Sequence, residues 1–128
     1  MTQVIKKQDW KGFFDRISSD FMDWEATVEL LNDNIGARVL NDGLLFSGIT
    51  YDDRSGSDRM ELRMGIDIDH HQTHNIEHPQ TVLFEPSNSG SGGMLDIEDS
   101  DGAKTLIEFR RPKPMLVEYV KSEILLAG

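Results

Sequence analysis

All four histidines of the chain lie in one short stretch, from Asp67 to Pro79, with the order Asp-Ile-Asp-His-His-Gln-Thr-His-Asn-Ile-Glu-His-Pro. Around it, between Arg63 and Lys104, there are eight Asp and Glu residues and no Lys or Arg. Carboxylate and imidazole groups are ligands of divalent cations in proteins, and imidazole also titrates near neutral pH. Metal binding and a pH switch are therefore candidate roles for this stretch, to be weighed against a solvated acidic loop.

The spacing of the histidines limits which of them share an ion. If residues 73–78 are extended, His74 and His78 lie on one face of a strand. Their Cα atoms are then about 13 Å apart, at about 3.3 Å per residue, which is too far for one ion. An extended segment therefore excludes this pair as a metal site.

A turn over residues 69–73 gives another arrangement, in which His70 or His71 approaches His74 and an aspartate supplies a carboxylate. The predicted ligands of a divalent metal such as Zn, Ni or Mn are then Asp67, Asp69, His70, His71 and His74. The alternative interpretation is a solvated acidic loop with hydrogen-bonded histidines. In that case His74, which flanks Ile76, is a core histidine.

Bulk composition narrows the function classes. The chain has 128 residues, which fit one domain, residues 1–128, and its net charge of −10 repels nucleic acid. It has no Cys, which excludes disulfides and thiolate sites. The N-terminal residues lack the apolar core of a signal peptide, and no window reaches about 18 apolar residues. We therefore expect a cytosolic protein that binds neither membrane nor nucleic acid.

The elements that must position the histidine stretch begin with an amphipathic helix, which opens at Gln8 or Asp9. Its apolar stripe recurs at spacings of three and four and consists of Trp10, Phe13, Phe14, Ile17 and Phe21. A C-terminal helix is predicted after Pro114, with a stripe of Leu116, Val117, Val120 and Ile124. Such stripes are typical of surfaces that face a core.

Between the helices the apolar period changes to two, which is typical of strands. Seven strands are predicted over residues 24–31, 44–51, 59–66, 73–78, 81–85, 94–98 and 103–110, and residues 37–40 are a candidate for a further short strand. Turns are predicted at Asn41-Asp42-Gly43 and Asp99-Ser-Asp-Gly102, and a loop over residues 52–58. Because the connections are too short for parallel crossovers, we predict an α+β fold: a mainly antiparallel meander of about seven strands between two helices. A partly closed β-barrel of the same strands is the alternative.

Arginines alternate with acidic residues in two of these strands. Arg59 and Arg63 flank Glu61, and Arg110 and Arg111 follow Glu108. Such residues bridge neighbouring strands across a polar face, or they bind an anionic ligand. The bridging role is our prediction for all four arginines.

Five segments of the chain carry a resemblance: Trp10-Lys-Gly-Phe-Phe-Asp15, the Trp24 strand, Gly48-Ile49, His74-Asn-Ile-Glu-His-Pro79 and Phe109-Arg-Arg-Pro112. Together they resemble a family of small uncharacterised bacterial proteins, one of the families whose domain has no known function. The resemblance spans nearly the whole chain and carries no catalytic signature. It implies a compact bacterial protein of one domain, with no assigned site residues.

Three functions follow as hypotheses. The first is a binding or interaction protein without catalytic activity, and the apolar end Ile124-Leu-Leu-Ala127 favours a homodimer. The second is a divalent-metal-binding protein or metal-dependent enzyme that uses residues 67–78. The third is a small-molecule carrier with a cavity lined by Trp10, Phe14 or Trp24. Apart from that metal, we expect no cofactor.

Overall fold

One α-helix lies against an antiparallel sheet in this fold. The computed structural model describes residues 1–34, 36–65, 69–88 and 92–111, and for residues 41–43 the backbone alone. A short strand, β1 (Gln3–Ile5), and a 3-10 turn (Lys7–Asp9) precede the helix α1 (Trp10–Asp20). The predicted apolar stripe of the helix is confirmed by its buried residues, which are Trp10, Phe13, Phe14 and Ile17.

Seven further strands follow α1 in the described residues. They are β2 (Glu25–Asn32), β3 (Gly36–Asp52), β4 (Arg59–Gly65), β5 (His71–Glu77), β6 (Pro79–Pro86), β7 (Gly93–Asp99) and β8 (Lys104–Arg110). Neighbouring strands pair antiparallel, in the order β1-β6-β7-β8-β2-β3-β4-β5. The prediction of a mainly antiparallel sheet with an N-terminal helix is therefore confirmed.

The connection between β5 and β6 requires the sheet to curl around α1. In a flat sheet these two strands would lie roughly 29 Å apart, at about 4.8 Å for each of the spacings between them. Only His78 separates them along the chain, with a φ of 51°. Its N–H donates to the Asp58 carbonyl at 2.8 Å, and its carbonyl accepts from the Ser100 N–H at 3.0 Å. His78 thus links the edge strand β5 to β6, the strand next to the opposite edge of the curled sheet.

A serine on the helix fixes α1 to β3. The pairing of β3 with β4 shifts register between Phe46 and Gly48, so the ladder is irregular there. The Ser18 hydroxyl donates to the Ile49 carbonyl at 3.0 Å and accepts from the Ile49 N–H at 2.9 Å. Since Ile49 is fully buried, this one side chain satisfies backbone groups that water cannot reach.

Three sequence predictions are wrong. Residues 41–43 continue β3 instead of forming a turn, because Asn41 and Asp42 pair with β2 beside a shift in register, and such a bulge absorbs the extra residue. The strand predicted to begin at Thr73 begins at His71. The partly closed barrel is not formed either, since no pairing among the described residues joins the edge strands β1 and β5.

The predictions at the two chain ends have different outcomes. Strand β1 was not predicted, because three residues are too short for a period of two to be recognised. The predicted C-terminal helix lies outside the described residues. No helix within the described ranges is long and apolar enough to cross a membrane.

Candidate functional site

Strand β5 places two of the predicted metal ligands on opposite faces of the sheet. His71 is exposed on the outer face, whereas His74 lies on the inner face with Ile76. Because β5 is already extended at His71, the turn over residues 69–73 that would bring these imidazoles together is not formed.

The other predicted ligands lie before this strand. Asp69 and His70 are exposed, and Asp67 falls outside the described residues. Within the described part of the chain, no three His, Asp or Glu side chains are grouped so that they could hold a metal ion. A site that includes Asp67 stays a prediction.

His74 has the surroundings of a partly buried structural histidine. Burial lowers its pKa below 6.5, and the positive charge of Arg38 lowers it further. Beside it on the inner face, Gln72 donates from Nε2 to the Leu40 carbonyl at 3.2 Å, which ties β5 to the first half of β3. The low pKa keeps His74 neutral at physiological pH.

A second histidine belongs to a polar cluster at the corner between β5 and β6. The Tyr51 hydroxyl donates to Asp58 Oδ1 at 2.7 Å, and His78 Nδ1 lies 3.5 Å from Asp58 Oδ2. Burial and the Asp58 carboxylate raise the pKa of Tyr51 to about 12. Tyr51 therefore stays protonated as a hydrogen-bond donor, and the cluster stabilises the corner without supplying a phenolate nucleophile.

Three of the four arginines bridge strands, as predicted, whereas Arg111 follows β8 and its guanidinium lies 5.7 Å from the centroid of the Trp24 ring. Each of the three contacts a neighbouring strand: Arg59 Nη1 lies 3.6 Å from Glu77 Oε1, Arg63 Nη1 donates to Thr50 Oγ1 at 3.3 Å, and Arg110 Nη2 donates to Thr27 Oγ1 at 2.8 Å. These contacts stabilise the polar face of the sheet, but exposed pairs of this kind contribute only about 0–1 kcal/mol each.

The aromatic side chains that the carrier hypothesis places around a cavity belong to the core. Trp10 is 1% exposed and its ring meets Tyr51 edge to face at 5.0 Å, while Phe14 is fully buried. Trp24 packs against Phe21 with ring centroids 4.8 Å apart. These contacts fill the space between α1 and the sheet that a carrier would need.

The outer face of the sheet carries an apolar row that sequence reasoning missed. Strand pairing aligns one residue from each of six neighbouring strands directly across the sheet. We call these residues the outer row; they are Val4, Leu83, Asp96, Leu106, Glu29 and Val39. Val4 is 70% exposed and Val39 is 59% exposed, so the row reaches solvent at both of its ends.

Apolar and acidic residues surround this row on the same face. Met94 is 37% exposed and pairs with Glu85 and Glu108 on its two sides, while Leu31 pairs with Lys104. The ionisable residues of the face on β2, β6, β7 and β8 are six acids and two bases: Glu25, Glu29, Glu85, Asp96, Glu98, Glu108, Lys104 and Arg110. The outer face is therefore apolar and acidic together.

Asp96 illustrates the electrostatics of the outer row. It lies directly between Leu83 and Leu106 on the neighbouring strands. Partial burial raises its pKa above 3.8, Lys104 opposes the shift, and the nearby Glu98 adds to it. A carboxylate in this position has a weak counter-charge and gains from a cation brought by a partner.

The sequence contains one sign of this row, namely leucines at positions of their strands that face outward. Leu83 stands between the buried residues Val82 and Phe84, and Leu106 stands between the buried residues Thr105 and Ile107. In a strand with one solvated face these outward positions are usually polar. Each leucine is visible in the sequence, but their alignment depends on pairing between distant strands.

Comparison with known proteins places the chain in a family. It is similar to an uncharacterised protein of Aquifex aeolicus (strain VF5), with 23% identity over 89% of this chain and 96% of that one. No solved structure matches it. The model of a family of unknown function, DUF5335, matches residues 1–117. The expected resemblance to an uncharacterised family with bacterial members is thus confirmed, and the chain belongs to the DUF5335 family.

Proposed function

We propose that this protein is a binding protein, and that the outer face of its sheet holds a basic amphipathic segment of a partner protein. The observation that carries the proposal is the outer row, in which four exposed or half-buried apolar side chains and two acids align across the sheet. Exposed apolar residues bordered by polar residues on one face mark interaction sites.

The acidic charge of the outer face favours a partner segment that carries basic residues. On β2, β6, β7 and β8 this face carries six acids and two bases, which leaves a net charge of −4 on those four strands. Two copies of this face would repel each other if they packed together, because their acids would meet without enough bases. A segment that carries Lys or Arg beside apolar residues would instead bury its apolar side chains on the row and neutralise the carboxylates.

A helix is a suitable form for such a segment. Its apolar residues, at spacings of three and four, would contact Leu83 and Leu106, and its basic residues would reach acids such as Asp96 and Glu108. The acids would steer association and make the affinity depend on ionic strength. The affinity should therefore fall as salt is added.

The test uses a synthetic helical peptide of Leu and Lys, with Leu at helical spacing, titrated into the full chain by isothermal calorimetry. Two control peptides have the same composition in scrambled order, or Glu in place of Lys. We expect binding of the first peptide alone, weakened by salt. Equal binding of the scrambled peptide, or no binding of any peptide, would contradict the proposal.

A matched pair of variants locates the site. Met94→Lys puts a cation among the apolar residues of the outer face, whereas Met22→Lys changes a methionine in the turn after α1, outside the sheet. We expect Met94→Lys to weaken peptide binding at least about tenfold and Met22→Lys to leave it unchanged. An equal effect of both variants would show that the peptide binds elsewhere.

A further inference from the structure

The two edge strands of the sheet differ in how well they are protected from pairing with another chain. Strand β1 has only three residues. Strand β5 has seven residues, pairs with β4 without a break in register from His71 to Glu77, and contains no Lys and no Pro. Among the described elements, β5 packs closely along β4 alone. Short strands, lysines, prolines and bulges are the usual protection of an edge, and β5 has none of them.

From these observations we infer that β5 pairs antiparallel with β5 of a second copy, around a two-fold axis at His74. Side chains opposite each other across an antiparallel pair lie on the same face of the sheet. A two-fold axis perpendicular to the sheet keeps the inner faces of both copies on one side. One register pairs all seven residues under this symmetry. In it, His74 of one copy lies opposite His74 of the second copy.

This register makes the edge complementary to itself. On the outer face it places His71 opposite Glu77 of the second copy, and Thr73 opposite Asn75. Glu77 is 58% exposed in its side chain and already lies 3.6 Å from Arg59. The carboxylate would then lie between the guanidinium of its own chain and an imidazole of the other, once at each end of the paired strands.

The inner face is compatible with the same axis. Gln72 would lie opposite Ile76, and the two copies of His74 would meet at the centre. Because burial and Arg38 lower the pKa of His74, both imidazoles are neutral near pH 7 and do not repel each other. The dimer surface is thus a strand edge, separate from the outer face that binds the proposed partner.

The first measurement is the mass of the full chain by sedimentation equilibrium over a wide range of concentrations. We expect a reversible association to twice the monomer mass of 14.5 kDa. A monomer at every concentration would overturn the inference. It would leave the proposed binding function untouched, because that function requires only the outer face.

Charge exchange between two positions then tests the register. Glu77→Lys alone places a cation opposite His71 of the second copy, and His71→Glu alone places a carboxylate opposite Glu77. Each single variant should weaken dimerisation at least about tenfold, since each changes two contacts per dimer. The double variant places a lysine opposite a glutamate at both ends of the paired strands and should return the affinity to within about threefold of the original.

The double variant also separates a lost contact from a disrupted fold. If a single substitution weakened the dimer by disrupting β5, a second substitution in the same strand would not restore the affinity. Glu108→Lys, an exposed change on β8, is the matched control and should leave the dimer unchanged. Failure of the double variant to restore association, or an equal effect of Glu108→Lys, would exclude pairing of β5 in this register.

Discussion

Adjacent residues of the same strand have opposite surroundings in this protein. In β8, Ile107 is fully buried in the core, whereas its neighbour Leu106 is half-buried on the outer face. In β6, the same relation holds between Phe84, which meets Phe13 of α1, and Leu83, which belongs to the outer row. In both strands, one apolar residue packs in the core and its neighbour lies on the outer face.

The difference follows from what lies over each face. The helix α1 and the curl of the sheet exclude water from the inner face, so apolar burial there stabilises the fold. The outer row is aligned by the same strand pairing but still reaches solvent. Its apolar side chains contribute less to folding and remain available for association.

The largest contrast is expected from truncating one apolar side chain on each face. Phe14→Ala removes a fully buried ring and should lower the free energy of unfolding by about 3–5 kcal/mol. Met94→Ala removes a side chain that is 37% exposed and should cost less than about 1 kcal/mol. Urea denaturation measures both values, and similar losses would mean that the outer face is as well covered as the core.

A smaller contrast is expected between two adjacent serines of α1. Ser18→Ala leaves the N–H and carbonyl of Ile49 without their hydroxyl partner in a buried position, which should cost about 1–3 kcal/mol. Ser19 is exposed one residue further along, so Ser19→Ala should change stability by less than about 0.5 kcal/mol. Thermal melts of the two variants would test whether the polar contact is specific to the inner face.

The inner face was predictable because its signals are local. Met60, Leu62 and Met64 alternate with charged residues within one strand, and all three are fully buried. The hairpin at Asp99 was also predictable, since its carboxylate accepts from the N–H groups of Asp101 and Ala103, as expected of an Asp-initiated turn. Period and turn chemistry each require only a few consecutive residues.

The outer row could not be predicted in the same way. Leu106 lies opposite Glu29 only because β8 pairs with β2, and nothing in either segment specifies that partner or that register. The metal hypothesis had the same weakness, since it depended on whether residues 69–73 turn or extend. Asn41-Asp42-Gly43 is a typical turn sequence, yet long-range pairing made it part of a strand.

The polar cluster at the corner between β5 and β6 gives a prediction at alkaline pH. The pKa of Tyr51 is about 12 in the folded protein, above the ordinary value of 10.0. Since the unfolded chain releases this proton first, stability is intact below pH 10, falls as the pH rises from 10 to about 12, and then levels off. Asp58→Asn should lower the Tyr51 pKa by removing the carboxylate, as ultraviolet titration of the phenol would show.

Tyr51 also supplies its own control. Tyr51→Phe should abolish the part of the alkaline stability loss that belongs to this phenol, while the contact with the Trp10 ring is retained. An unchanged pH dependence in this variant would assign the loss to other groups.

The smallest effect is expected at Asp96, a half-buried carboxylate on the outer face. Partial burial raises the pKa of Asp96 in the folded protein above 3.8. Since the unfolded chain then releases this proton first, the free energy of unfolding decreases as the pH rises from 3.8 through the folded pKa. Asp96→Asn removes the charge and should increase the stability at pH 7 by less than about 1 kcal/mol, because the site is partly solvated. Urea denaturation at pH 3 to 7 in steps of about one unit would follow the difference.

Glu98→Gln is the matched change, since Glu98 lies on the same strand and face and raises the Asp96 pKa. It should lower the Asp96 pKa slightly and leave the stability at neutral pH nearly constant. If Asp96→Asn instead lowered stability, the attraction of Lys104 would outweigh the cost of burial, and the outer row would already be electrostatically satisfied without a basic partner. A gain in stability would mean that the carboxylate is kept at some cost to folding, as expected of a residue retained for binding.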